Sequence, residues 1–143
     1  MSDDPNVRAA IAHWAPRFVA NGIDYNDFVS TTARVAHWRD WSAEWSKTAA
    51  KHEALAREAE ERGSPISAAE AHVRAALCHH FGKFVYFDDT EQYRRASDAT
   101  VANYRKAIAN LDPPAERISI PYAGWISRAI CASQRLSRAR PSY

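Results

Sequence analysis

Between Phe28 and Ala59 the sequence carries a stripe that a packed helical bundle accepts and most other folds do not. Phe28, Thr32, Val35, Trp38, Trp41, Trp45, Ala49, His52, Leu55 and Ala59 recur at steps of three and four, the spacing that returns side chains to one face of a helix. The stripe predicts one long helix or two helices end to end. Asp24 in "GIDYNDF" caps its start, Asp40 is a candidate internal cap, and Gly63, Ser64 and Pro65 stop it. Trp38, Trp41 and Trp45 could form a stacking platform for a planar ligand, but an aromatic stripe at helical spacing reads first as core.

The flanking segments are helical too. Asp4 followed by Pro5 is a helix start, because proline at the first helical position gives up an N–H that has no partner there. Pro16 should then divide "AAIAHWAPRFVANG" into two short pieces, the second ended by Gly22. In "ISAAEAHV", Ser67 reads as an N-cap, with Glu70 three residues on and Ile66 as a hydrophobic staple. The helix it opens carries Val73, Leu77, Phe81 and Phe84 on one side, and Gly82 within it marks a weak point or a close helix contact. After Asp88 and Asp89 a last helix places Tyr93, Thr100, Tyr104, Ile108 and Leu111 on one stripe, ended by Asp112, Pro113 and Pro114. The expectation is an all-α bundle of four to five helices. "RISIPY" then alternates like a half-buried strand, an orphan without a pairing partner, and an irregular tail follows.

Charge and cysteine usage narrow the function. The net charge is +2, but residues 125–143 hold four arginines and no acid, so residues 1–124 carry 15 basic against 17 acidic side chains. A body at −2 gives no case for a nucleic-acid surface. Cys78 and Cys131 offer neither a disulfide framework nor a metal-ligand spacing, which fits a reducing compartment. The acidic "MSDDPNVR" start does not read as a secretory signal, and no run approaches the ~20 apolar residues of a membrane span. The expectation is a cytoplasmic protein without membrane contact.

Catalytic motifs are absent. Gly22, Gly63, Gly82 and Gly124 are the only glycines, and none has the spacing of G-x-S-x-G, G-x-G-x-x-G or a phosphate loop. Neither H-E-x-x-H nor paired E-x-x-H occurs, so His72, His79 and His80 read as partly buried histidines rather than metal ligands. No cofactor and no metal are expected. "KHEALAREAEER" mixes both charge signs as a solvated helix face does. "HHFGKFVYF" holds more rings than one helix face can bury, so Phe81, Phe84 and Phe87 meet either another helix of the bundle or a second surface.

Taken in order, "RFVANGIDYNDF", "HWRDWSAEWSKTAAKHEALA", "SAAEAHVRAALCHHFGKFVYFDD" and "LDPPAERISIPYAG" resemble the N-terminal region of the 2,6-dihydroxypseudooxynicotine hydrolase family, α/β-hydrolases with a helical lid. The resemblance covers residues 10–124. It implies a helical lid over residues 1–114, the first strand of a hydrolase domain over 115–124, and a substrate cleft between lid and core. It implies no catalytic residue on this chain, because the serine, acid and histidine belong to the core domain. Phe81, Phe84, Phe87, His80 and Trp41 are the candidates for cleft or interface contact, and the implied partner is the hydrolase core domain.

The resemblance stops at Gly124, where relatives continue with a phrase like "LAGYLRLP" and this chain reads "WISRAICASQRL". Written in GC-rich codons and read from the third base, "GWISRAICASQRL" yields V-D-L-A-G-Y-L-R-L-P-A-A. Residues 125–143 are therefore expected to be out-of-frame translation on a truncated chain. Two function classes stand side by side. One is a lid fragment of a carbon–carbon bond or ester hydrolase, inactive alone and prone to self-association through exposed apolar surface. The other is a self-sufficient helical interaction module, although the roughly 34-residue period of a tetratricopeptide array is missing.

Overall fold

The computed structural model describes residues 2–111 and 113–132. Five helices come first: α1 (Pro5–Ala20), α2 (Tyr25–Thr32), α3 (Trp41–Glu61), α4 (Pro65–Phe84) and α5 (Thr90–Ala107). Single 3₁₀ turns at Trp38–Asp40 and Ile108–Asn110 lead into α3 and out of α5. Strands β1 (Ala115–Tyr122) and β2 (Trp125–Ala132) close the described chain. The helical bundle followed by a strand is as the sequence predicts.

The caps explain most boundaries. Asp4 accepts from the Asn6 N–H with Pro5 at the first helical position, Asp24 accepts from Asn26 and Asp27, and Asp89 accepts from Glu91 and Gln92. Asp4 also accepts the Trp38 N–H at 2.7 Å, tying the start of α1 to the entry of α3. The long stripe breaks at 33–37 into α2 and α3. Asp40 does sit at the N-cap of α3, but its carboxylate accepts the His37 N–H at 3.1 Å and makes no bond to the helix it precedes.

Two boundaries differ from the sequence reading. Pro16 lies inside a continuous α1 instead of dividing it. Phe18, two residues beyond it and wholly buried, packs against Phe28, Trp41, Trp45 and Phe81, and this packing fixes the helix direction past the missing N–H. The second is at α4, which begins at Pro65 with Ser64 as the N-cap residue, three positions before Ser67. Proline pre-sets the first helical φ, so the helix starts there and Ile66 stays 64% exposed without acting as a staple.

The core lies where α1 and α2 cross the antiparallel α3–α4 pair. Trp41, Trp45 and Phe18 are wholly buried, and the Phe18 and Phe81 rings stand 4.1 Å apart between centroids. Helix α4 presents Ala68, Ala69, Ala71, Ala75, Ala76 and Gly82 among its buried residues, and this small-residue surface lets α3 approach closely. Gly82 is the tightest point: a Cβ there would lie 2.9 Å from the Trp45 Cβ. The α5 stripe of Tyr93, Thr100, Tyr104, Ile108 and Leu111 is half-buried, and the centre of the α5 contact face is Ala96, Asn103 and Ala107.

The strand is not an orphan. β1 pairs antiparallel with β2 from Ala115↔Ala132 to Tyr122↔Trp125, across a two-residue turn with Ala123 at φ +46° and Gly124 at φ +82°. Two successive positive φ values match the twist of a tight hairpin. Residues 125–132, expected to be irregular, are thus strand, and residues 133–143 lie outside the described residues. The hairpin rests on the end of α5, leaving a groove of about 410 Å³ whose lining includes Val101, Tyr104, Ile108, Arg117 and Ala129. Of the described hairpin side chains only Ala115, Ile118 and Ala129 are half-buried; the others are exposed.

Gly82→Ala should destabilise the chain by about 1–3 kcal/mol, since the new methyl meets Trp45 and neither helix backbone can yield freely. Chemical denaturation of the variant against the parent chain checks this, and an unchanged midpoint would contradict the close contact.

Candidate functional site

Apart from Trp41, which opens α3, the side chains singled out for cleft or interface contact lie in the last turns of α4 and just after it, and the fold separates the set into three layers. Trp41 and Phe81 belong to the core: Trp41 is wholly buried, Phe81 is 3% exposed, and the Trp41 indole donates to the Phe81 carbonyl at 3.2 Å. His80 and Phe84 are half-buried on the seam between α4 and α1. Phe84 meets Trp14 edge-on at 5.2 Å, and the Arg17 guanidinium lies 5.5 Å from the centroids of both rings. Burial, and then the Lys83 ammonium, pushes the His80 imidazolium below its ordinary value. Phe87 alone is on the surface, 64% exposed, stacked on Tyr93 at 5.9 Å, with Lys83 Nζ 5.0 Å from the Tyr93 centroid.

This arrangement follows from the helical period. Phe81 and Phe84 sit three residues apart on the side of α4 that meets α1, whereas Phe87 lies beyond the end of α4 at Phe84. Tyr86 turns inward instead, 4% exposed and packed on Trp38 at 5.8 Å. Its phenol is pushed up by burial and then by Asp88, Asp89 and Asp40. Beside it a shallow groove of about 500 Å³ runs between α1 and the chain after α4, with His13, Trp14, Trp38, Val85 and Asp88 in its lining.

What the sequence reading missed is a set of carboxylate–imidazole pairs between helices. His52 Nε2 is 2.6 Å from Asp27 Oδ2, His72 Nε2 is 3.0 Å from Glu60 Oε1, and His79 Nε2 is 3.2 Å from Glu53 Oε1. Asn103 of α5 joins the last two: its amide N–H donates to Glu53 Oε1 at 2.7 Å, and its carbonyl oxygen stands 2.8 Å from His72 Nδ1. Glu53 and Glu60 come from the run read as a solvated face. The signal was present, because Glu53 and Glu60 are two turns apart on α3 and His72 and His79 are two turns apart on the antiparallel α4.

These groups do not make a reactive centre. The Cys78 thiol is buried and near Asp27, and burial, helped by that carboxylate, pushes its pKa up to about 12, so the nucleophilic thiolate is scarce at neutral pH. Among the described residues no group of three His, Cys, Asp or Glu side chains could hold a metal ion, and no helix is long and apolar enough to cross a membrane. The pairs instead tie α2 to α3, α3 to α4, and both to α5.

The expected resemblance is borne out by comparison with known proteins. The chain is 33% identical over 103 residues to 2,6-dihydropseudooxynicotine hydrolase of Paenarthrobacter nicotinovorans, a match covering 71% of this chain and 27% of that protein. The crystal structure of the 2,6-dihydroxy-pseudo-oxynicotine hydrolase superposes with a TM-score of 0.64 at 30% identity, covering 78% of this chain and 31% of that one. The chain thus spans under a third of the length of either relative. No protein-family profile matches it.

The carboxylates predict the acid limb of stability. His72's bond holds the Glu60 carboxyl below its ordinary value; burial raises Glu53, but the bonds from Asn103 and His79 outweigh it and hold it low. A lowered folded-state value means that the native chain binds fewer protons than the unfolded one. The contribution is therefore present above the ordinary glutamate value of about 4.3 and lost as the pH falls through the lowered values. Melting curves from pH 7 downward should show this loss, and Glu53→Gln should flatten it; a Glu53→Gln chain with the parent's acid limb would contradict the assignment.

Proposed function

We propose, from its kinship with 2,6-dihydropseudooxynicotine hydrolase, that this chain is the helical lid region of a related α/β-hydrolase, made to sit over a hydrolase core domain. The observation that carries the reading is the coverage: one continuous match takes in 71% of this chain but 27% of the relative. On this reading residues 1–114 are the lid and 115–124 the first strand of the hydrolase domain. The reaction class is hydrolysis of a carbon–carbon bond or an ester, and none of the catalytic residues lies on this chain. Phe87, exposed at the end of the aromatic run, and the half-buried Phe84 and His80 are then the side chains nearest the cleft or the core domain.

The out-of-frame origin of residues 125–143 is part of the proposal. Its physical support is that among the described β2 side chains only Ala129 is half-buried, with Trp125 80%, Ile126 68% and Ile130 47% exposed, and that polar and apolar side chains do not alternate between a wet and a dry side. A strand selected for a sheet would keep that alternation. The coding sequence just downstream decides it, since a hydrolase core readable in a shifted frame is expected and its absence would overturn the proposal. The cytoplasm is the compartment proposed, in keeping with the buried Cys78 thiol.

Assayed alone against short-chain aryl esters, the chain should give no turnover above buffer; saturable turnover that persists through purification would overturn the lid reading. The same chain should associate as concentration rises, because Ile120, Tyr122 and Trp125 on one face of the hairpin and Ile126 and Ile130 on the other are exposed apolar side chains. Light scattering should record a growing mass for the parent chain and a smaller rise for a Trp125→Ser, Ile126→Ser double variant.

A further inference from the structure

We propose that His72 is held as a doubly protonated, buried cation that clasps α5 to the α3–α4 pair, and that removing one of its ring protons loosens α5 and the hairpin seated on it. The argument rests on donors and acceptors. Asn103 Nδ2 faces two groups that can only accept, the Glu53 carboxylate at 2.7 Å and the Ala99 carbonyl at 3.1 Å. This fixes which end of the amide is nitrogen, so the Asn103 oxygen is the atom 2.8 Å from His72 Nδ1, and Nδ1 must donate. On the other side of the ring, Nε2 lies 3.0 Å from the Glu60 carboxylate, again an acceptor. Both ring nitrogens therefore need protons. A ring with one proton would set a bare lone pair against an acceptor in a side chain only 2% exposed.

The other two paired histidines differ in the same chemistry. Nδ1 of His52 and Nδ1 of His79 are buried and have no partner among the described residues. A second proton there would bury an unpaired N–H, so these rings hold one proton, on the Nε2 that faces the carboxylate. The contrast lies in Asn103, which alone presents an acceptor to the second nitrogen.

The charges around His72 come from every packed element. Helix α3 supplies Glu53, Arg57 and Glu60, α4 supplies His79, and α5 supplies Lys106, which with Arg57 lines the small cavities beside the ring. Arg57 and Lys106 are exposed and act through water, whereas Glu60 bonds the ring directly and Glu53 reaches it through Asn103. Glu60 stays the acceptor in this pair, its carboxyl held below its ordinary value by the same bond.

Histidine ring nitrogen-15 spectra of the full chain test this, with His72 assigned by the loss of its signals in His72→Gln. At neutral pH both His72 nitrogens should report protons, while His52 and His79 each report one. In Glu60→Gln, a change at a half-exposed side chain that leaves the fold intact, the introduced amide can donate to Nε2, and the ring should hold one proton at the same pH. Amide exchange corrected for base catalysis should accelerate across α5 by roughly tenfold as the parent ring loses a proton, the scale of one charge-assisted bond. A single proton on His72 at neutral pH, or the same ring state in Glu60→Gln as in the parent, would overturn the assignment. Exchange in α5 that ignores the ring's titration would overturn the clasp.

Discussion

The approach of α4 to Trp45 sets everything else. Because Gly82 has no side chain, the α3 and α4 backbones come close enough for the Trp45 and Trp41 rings to lie beneath α1, with Phe18 between them and Phe81. A methyl group at that position would push the helices apart by tenths of an ångström, and tight interiors transmit such shifts. The same approach fixes the antiparallel register. Once the two helices are aligned there, residues farther along meet in antiparallel order, Glu53 with His79 and Glu60 with His72. The apolar contact at one end thus selects the polar contacts at the other.

Much of the fold was legible because it is local. Asp4, Asp24 and Asp89 cap helices through bonds to residues two or three positions on, and a short sequence window contains both partners. The misreadings share one cause: each local signal met a stronger non-local or competing one. Pro16 breaks an isolated helix, but Phe18 is anchored by four rings from three other segments. Ser67 with Glu70 is a sound capping pattern, but Pro65 starts the helix before the pattern can act. The hairpin was half read. Alternation revealed β1, while β2 has none, and only the turn at Ala123 and Gly124 discloses the pairing.

The site was legible to a lesser degree. The aromatic surplus after His79 was visible in composition, yet the division into buried Phe81, seam residue Phe84 and exposed Phe87 depends on where α4 ends. Trp41 sits in the same stripe as Trp38 but is wholly buried because its indole finds the Phe81 carbonyl, a contact forty residues away in sequence. The polar network was hidden for another reason. Glutamates amid lysines and arginines look solvated until a facing helix offers histidines at the matching two-turn spacing, and only a joint reading of both helices discloses it.

These contrasts describe a body of uneven firmness. The α1–α4 core buries its large rings, and the carboxylates between α3 and α4 are bonded to histidines. Helix α5 packs mainly along α4, with Ala96, Asn103 and Ala107 buried, and Asn103 carries a polar link at the centre of that contact. The hairpin is attached thinly, through the half-buried Ala115, Ile118 and Ala129, and a two-stranded sheet with so little burial is marginal in water. Burial therefore falls from the tryptophans outward to the strands. Further polypeptide laid on the exposed strands would add burial there, whereas the wholly buried Phe18, Trp41 and Trp45 have none left to gain.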